Sequence, residues 1–219
     1  CSANKLTGID DYFFRVVSPN TVEVEHIVSH MVHQMGLRNI SVIYDLSNAK
    51  YSKGWFRNLK QEFEKVGREV NLGMPFTSGK ETAYLDLAKT LINSEPDGIV
   101  IVAGAVDAAM VCQQIRKIGV DIPIIGSGWA RTSDFILQGG RAVEGVIFST
   151  AYDVEFEYKS FQRFKSQFEK RFGRAPNFAA TFSYESAQLL LSALSVNADP
   201  DKLKETILSQ ERFQGLRGD

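Results

Sequence analysis

Apolar residues recur along the chain with two periods, and their alternation predicts the architecture. After a loop ending near Pro19, residues Val24, Ile27, Val28, Met31 and Met35 fall at helical spacing, with Gly36 as the stop. The run Asn39 to Asp45 (NISVIYD) is short and β-branched and predicts a strand; a polar loop leads from it to a helix from about Ser52 to Val66, ended by Gly67. The pattern then repeats. Strands are predicted at Glu69 to Met74, Gly98 to Ala103, Ile122 to Gly126 and Gly145 to Ser149, separated by helices at Thr82 to Asn93, Asp107 to Ile118 and Ser133 to Gln138. Pro96-Asp97 and Pro123 punctuate two of the strand entries. Five strands alternating with helices predict an α/β fold with a doubly wound parallel sheet.

The pattern changes after Val154. Two long helices, Glu155 to Phe172 and Phe178 to Ser195, and a shorter one at Asp201 to Ser209 follow one another with no strand between them. A helix such as Phe178 to Ser195, apolar around much of its circumference, requires a covering surface. Residues 150–219 are therefore expected to belong to part of a second α/β lobe, whose strands lie in sequence preceding this chain. The absence of an initiator Met fits a chain that begins inside a larger protein, although Cys1-Ser2 also has the look of a lipoprotein start.

Composition narrows the function classes. Of 219 residues, 44% are hydrophobic and 11% aromatic, enough for a sizeable core without disulfides or metal. Twenty-five basic residues against twenty-six acidic ones leave a formal charge of −1, so no global field draws a nucleic-acid backbone, and nucleic acid is not an expected partner. The longest apolar stretches, such as Gly98 to Val106, fall well short of the roughly 18–20 residues that span a bilayer. Two cysteines leave the redox compartment open.

Motifs that suggest chemistry dissolve on inspection. His26, His30 and His33 share one face of the first helix, but its apolar stripe lies roughly opposite, which puts them in solvent beside Glu23. Phe161, Phe164, Phe168 and Phe172 repeat at helical spacing among Lys and Arg residues and read as a core stripe with a wet basic face. Gly73 to Glu81 (GMPFTSGKE) is misspaced for a phosphate loop and carries Glu81 where a hydroxyl must meet magnesium. Gly126-Ser127-Gly128 lacks the third glycine of a dinucleotide fingerprint, though its backbone N–H groups suit a small anion nest. Cys112 reads as a small buried hydrophobe. No nucleophile, base and orienting group assemble, so neither an enzyme nor a cofactor or metal is expected.

Topology then points to the loops beyond the carboxyl ends of the strands. With strand order 2-1-3-4-5, the crevice at the switch point is lined by Asp45 to Tyr51 (DLSNAKY), Gly104 to Asp107 (GAVD) and Ser127 to Thr132 (SGWART). A Tyr, a Trp, small residues and hydroxyls there suit a small amphipathic ligand.

The runs LTGIDDYFFRVV, NISVIYD, PDGIVIVAGAVDAAMVCQQIRKIG, PIIGSGWA, GGRAVEGVIFS and FEKRFGRAPNFAATFSYESAQLLLSAL, in that order, resemble the type I periplasmic binding proteins of the branched-chain amino-acid class. The resemblance implies two α/β lobes joined by three crossings that close on a ligand. Residues 12–149 then form the second lobe, and residues 1–11 and 150–219 belong to the first. Tyr12 to Val17, Ser149 to Asp153 and Phe213 to Gly218 correspond to the crossings. Ser2 falls where the family has a hydroxyl that grips the ligand's carboxylate, and Tyr51, Ala105 and Gly128 match contact positions on the second lobe. The family's amino-acid binders carry an acidic residue near the position of Gly128 and an aromatic near that of Ala105. Here Asp107 and Trp129 sit close by instead, and Ser127 completes the candidate site. The expected function is a solute receptor that captures a small organic acid or amino acid for the membrane permease of an ABC transporter. The expected location is periplasmic or extracellular, with or without a membrane anchor. A ligand-sensing domain of a membrane sensor kinase or of a transcriptional regulator is the alternative. With no carboxylate at Gly128 itself, a carboxylate lacking an α-ammonium is the ligand expected from sequence.

Overall fold

A computed structural model describes residues 6–149, 156–210, 212–216 and 218. By contact the described chain divides into two compact units: one gathers residues 6–7 and 18–149, the other Gly8–Val17 together with the residues from 156 onward. Tyr12 to Val17, expected to open the sheet lobe, thus groups with the helical unit. There Lys204 Nζ donates to Asp10 at 2.6 Å and lies 5.1 Å from the centre of the Tyr12 ring.

The sheet unit runs α1 (Asn20–His33), β1 (Asn39–Asp45), α2 (Ala49–Lys65), β2 (Glu69–Phe76), α3 (Tyr84–Asn93), β3 (Gly98–Val102), α4 (Ala105–Ile118), β4 (Ile124–Gly126), α5 (Ser133–Gly139) and β5 (Ile147–Phe148). Its five strands are parallel, in the order β2-β1-β3-β4-β5. The central strand β3 is buried at every position, which is why it reads as an uninterrupted apolar run. Alternate side chains feed two cores: Ile99 and Ile101 pack with Ala88, Leu91, Val111, Ile115 and Phe135, whereas Val100 and Val102 pack with Val24, Ile27, Met31, Trp55, Leu59 and Phe63. Helices α3, α4 and α5 thus cover one face, and α1 and α2 the other. Pro75 is tolerated within β2 because that strand lies at the sheet edge.

Two boundaries matter for function. Helix α2 begins at Ala49, not Ser52, because the Asp45 carboxylate accepts the Ser47 N–H at 2.8 Å and turns the chain at once out of β1. Tyr51 accordingly sits in the first helical turn. Likewise α4 begins at Ala105, directly after Gly104 in extended backbone, so Ala105 and Asp107 also lie in a first turn.

The helical unit contains α6 (Lys159–Phe172), α7 (Phe178–Val196) and α8 (Leu203–Ser209). Phe161, Phe164 and Leu216 form its core, with Phe156, Phe168, Phe178 and Phe182 packed against them. The buried Glu185 of α7 accepts the Leu216 N–H at 2.9 Å and so fastens the C-terminal segment to the helix. On α7, Leu191 is 64% and Val196 72% exposed.

Candidate functional site

In a parallel sheet each connecting helix runs antiparallel to its strands, so helices start over the carboxyl edge, where the loops after β1, β3 and β4 emerge. The side chains at that edge converge. The rings of Tyr51 (start of α2) and Trp129 (loop after β4) meet edge-to-face with centroids 5.6 Å apart and an interplanar angle of 74°. The Trp129 indole also covers Gly104, where an added Cβ would stand 3.7 Å from its Cζ2. The three loops are brought together as the topology requires.

At the centre of this group is a residue the sequence pattern placed in solvent. Glu23, in the first turn of α1, accepts the Gly128 N–H on Oε1 at 2.7 Å across a separation of 105 residues. The three histidines are exposed, as expected, but Glu23 lies at the border of the buried stripe and turns the other way. Burial raises its carboxyl above the ordinary 4.5, opposed by the Gly128 N–H and by the indole of Trp55. Trp55 Nε1 is fully buried and has no acceptor in hydrogen-bonding geometry, yet it lies close enough to Glu23 to favour the charged form. Burial, followed by the charge of Glu23, pushes the Tyr51 phenol up, while the Ser127 hydroxyl and the Trp129 backbone N–H oppose the shift. Ser127 Oγ is itself buried and without a partner in hydrogen-bonding geometry.

This corrects the expectation that no carboxylate stands at Gly128 and that its loop is free to nest an anion. The carboxylate arrives from α1, which precedes β1 and therefore begins at the same edge. The clue available in sequence was an acid in the first turn of that helix, flanking its apolar stripe.

Asp107 has a different setting. Its Oδ1 and Oδ2 accept the Ser78 hydroxyl at 2.9 and 3.0 Å, and Oδ1 also accepts the Tyr84 hydroxyl. Ser78 in turn donates its N–H to Asp45 at 3.1 Å. Asp107 and Asp45 thus tie the loop after β2 to the ends of β1 and α4. Burial, then the Asp107 hydrogen bond and charge, push Tyr84 up to about 12. Cys112 is fully buried in the core under α4, and that burial pushes its thiol up to about 12. Ser2 lies outside the described residues, as do residues 150–153 of the second expected crossing.

The fold has close parallels among known proteins. The family model described as periplasmic binding protein matches residues 2–219. The chain belongs to the periplasmic binding proteins. Among solved structures, it is similar to a leucine-binding protein of Thermotoga maritima (TM-score 0.84, 23% identity, covering 93% of this chain and 58% of that one). It is also similar to a solute-binding protein of an ABC transporter from R. palustris, in complex with benzoate (TM-score 0.81, 19% identity, 94% and 56%). A third is the branched-chain amino-acid transporter substrate-binding protein of Streptococcus pneumoniae, in complex with isoleucine (TM-score 0.80, 17% identity, 93% and 57%). The binding protein thus spans under two thirds of the length of these structures, and they share its type I fold. No protein of curated function is similar enough in sequence to count as a relative. The family is one of solute receptors and not of enzymes. Among the described residues, no helix is long and apolar enough to cross a membrane.

Proposed function

We propose that the intact protein is the solute receptor of an ABC transporter, acting in the periplasm or outside the cell and delivering a small amphipathic solute to a membrane permease. The sheet unit supplies one wall of the ligand site through Tyr51, Ala105, Ser127, Gly128 and Trp129. The observation that carries this reading is the Tyr51–Trp129 pair, because two rings from different loops meet at the switch-point edge where a doubly wound sheet binds its ligands. Residues 150–219 belong to a separate lobe, and Ser2 is the group proposed to hold the solute's carboxylate. Asp107 supports the wall by anchoring the loop after β2.

The reading also has an energetic consequence. An aromatic contact contributes of order 1 kcal/mol beyond the area it buries, so Tyr51→Ala and Trp129→Ala in the full-length protein should each weaken solute binding by about fivefold or more. Titration calorimetry with leucine and with benzoate, the chemistries represented among similar structures, measures this. Unchanged affinity in both variants would place the site elsewhere.

A further inference from the structure

Glu23 is a half-buried carboxylate with no cation of its own. Among the described residues, no Lys, Arg or His pairs with it, and what offsets its burial is one backbone N–H, from Gly128, and the indole of Trp55. A carboxylate in such surroundings is incompletely compensated, since burial disfavours the charge and a single hydrogen bond satisfies one of its two oxygens. Surface acids of this protein do find partners, as Glu64 does with Lys60 and Glu62 with Lys65. Glu23 has no such partner among the described residues, although it lies at the edge where the loops after β1, β3 and β4 converge.

The groups around it point to what is missing. Tyr51 and Trp129 present π-systems beside the carboxylate, and an aromatic face attracts a cation as a carboxylate does. Ser127 Oγ, buried beside the Tyr51 phenol, adds an acceptor on the same loop as Trp129. An anion has no comparable place there, because the N–H that would receive it is already held by Glu23 and the carboxylate itself would repel it.

We propose that Glu23 determines specificity by pairing with a protonated nitrogen on the solute, so that the protein selects an ammonium-bearing ligand over the same skeleton without the nitrogen. The acid is supplied by the first turn of α1 and not by the loop after β4. This inference rests on the receptor reading above, and its test separates the two.

The full-length protein, stripped of any retained ligand by unfolding and refolding, is titrated calorimetrically with two matched pairs: leucine with isocaproate, and phenylglycine with phenylacetate. In the wild type, the nitrogen-bearing member of a pair should bind more tightly. Glu23→Gln should weaken that member by about 10- to 100-fold, the usual loss of one charge-assisted hydrogen bond, while changing its nitrogen-free counterpart little. Glu23→Asp should retain part of the preference, and near-ultraviolet circular dichroism of each variant reports that the fold is intact. Tighter binding of isocaproate or phenylacetate to the wild type overturns the proposal, as does an equal loss for both members of a pair in Glu23→Gln. Either result leaves the receptor reading standing. Failure of all four compounds to bind the wild type overturns the receptor reading for small acids and amino acids, and this proposal with it.

Discussion

Gly126 ends β4 and introduces the Ser127-Gly128-Trp129 loop, and its Cα pairs with that of Phe148 on β5. An added Cβ would stand 2.1 Å from Cε1 and 2.8 Å from Cδ1 and Cζ of the Phe148 ring, well inside any tolerated contact. The ring cannot simply tilt aside, because it packs edge-to-face on the buried Phe135 at a centroid distance of 5.2 Å. Gly126→Ala therefore overpacks the sheet edge, at about 1–3 kcal/mol, and disrupts a ring pair worth about 1 kcal/mol, for a total destabilisation of about 2–4 kcal/mol. Both tryptophans of the sequence, Trp55 and Trp129, lie in the sheet unit, so indole emission during urea unfolding reports on that unit. The midpoint should fall without a change in the denaturant slope. In a Phe148→Leu background, where the ring is gone, the same substitution should cost at least about 1 kcal/mol less. An equal cost in both backgrounds would refute the argument, since the clash would then not be with Phe148.

Two further outcomes follow from the electrostatics. The native pKa of Glu23 is raised above 4.5, so between 4.5 and its native value the folded protein binds more protons than the unfolded chain, and stability falls as pH rises through that window. The stability of Glu23→Gln relative to wild type should accordingly be flat below 4.5 and grow as pH rises above it, and a difference independent of pH in denaturation curves would contradict this. Replacing Asp107 by Asn removes the second and third causes that hold Tyr84 near 12 but leaves burial, the first. The Tyr84 phenol, followed by phenolate absorbance against a Tyr84→Phe control, should then titrate lower than in the wild type yet still above 10, and no shift would contradict the network.

Much of the fold was legible because the two hydrophobic periods are clean. The buried positions Val24, Ile27, Val28 and Met31 define α1 unaided, and the uninterrupted run of β3 declares a strand covered on both faces. Element starts were less legible, since they depend on local polar chemistry. Asp45 capturing Ser47 moves the start of α2 forward to include Tyr51, and nothing in the apolar pattern encodes that. At the candidate site, the loops could be named from topology, but not the direction in which side chains turn. Asp107 looked available as an acid, yet Ser78 and Tyr84 occupy it; Glu23 looked solvated, yet it reaches Gly128. Both outcomes depend on contacts between segments far apart in sequence.

The central claim, that the carboxyl edge of this sheet forms a wall of a solute site, is tested most directly by a crystal structure of the intact protein with its solute bound. The account predicts the solute in contact with the rings of Tyr51 and Trp129, near Gly128 and beyond the ends of β1, β3 and β4. A solute bound at a position that touches neither ring would contradict it.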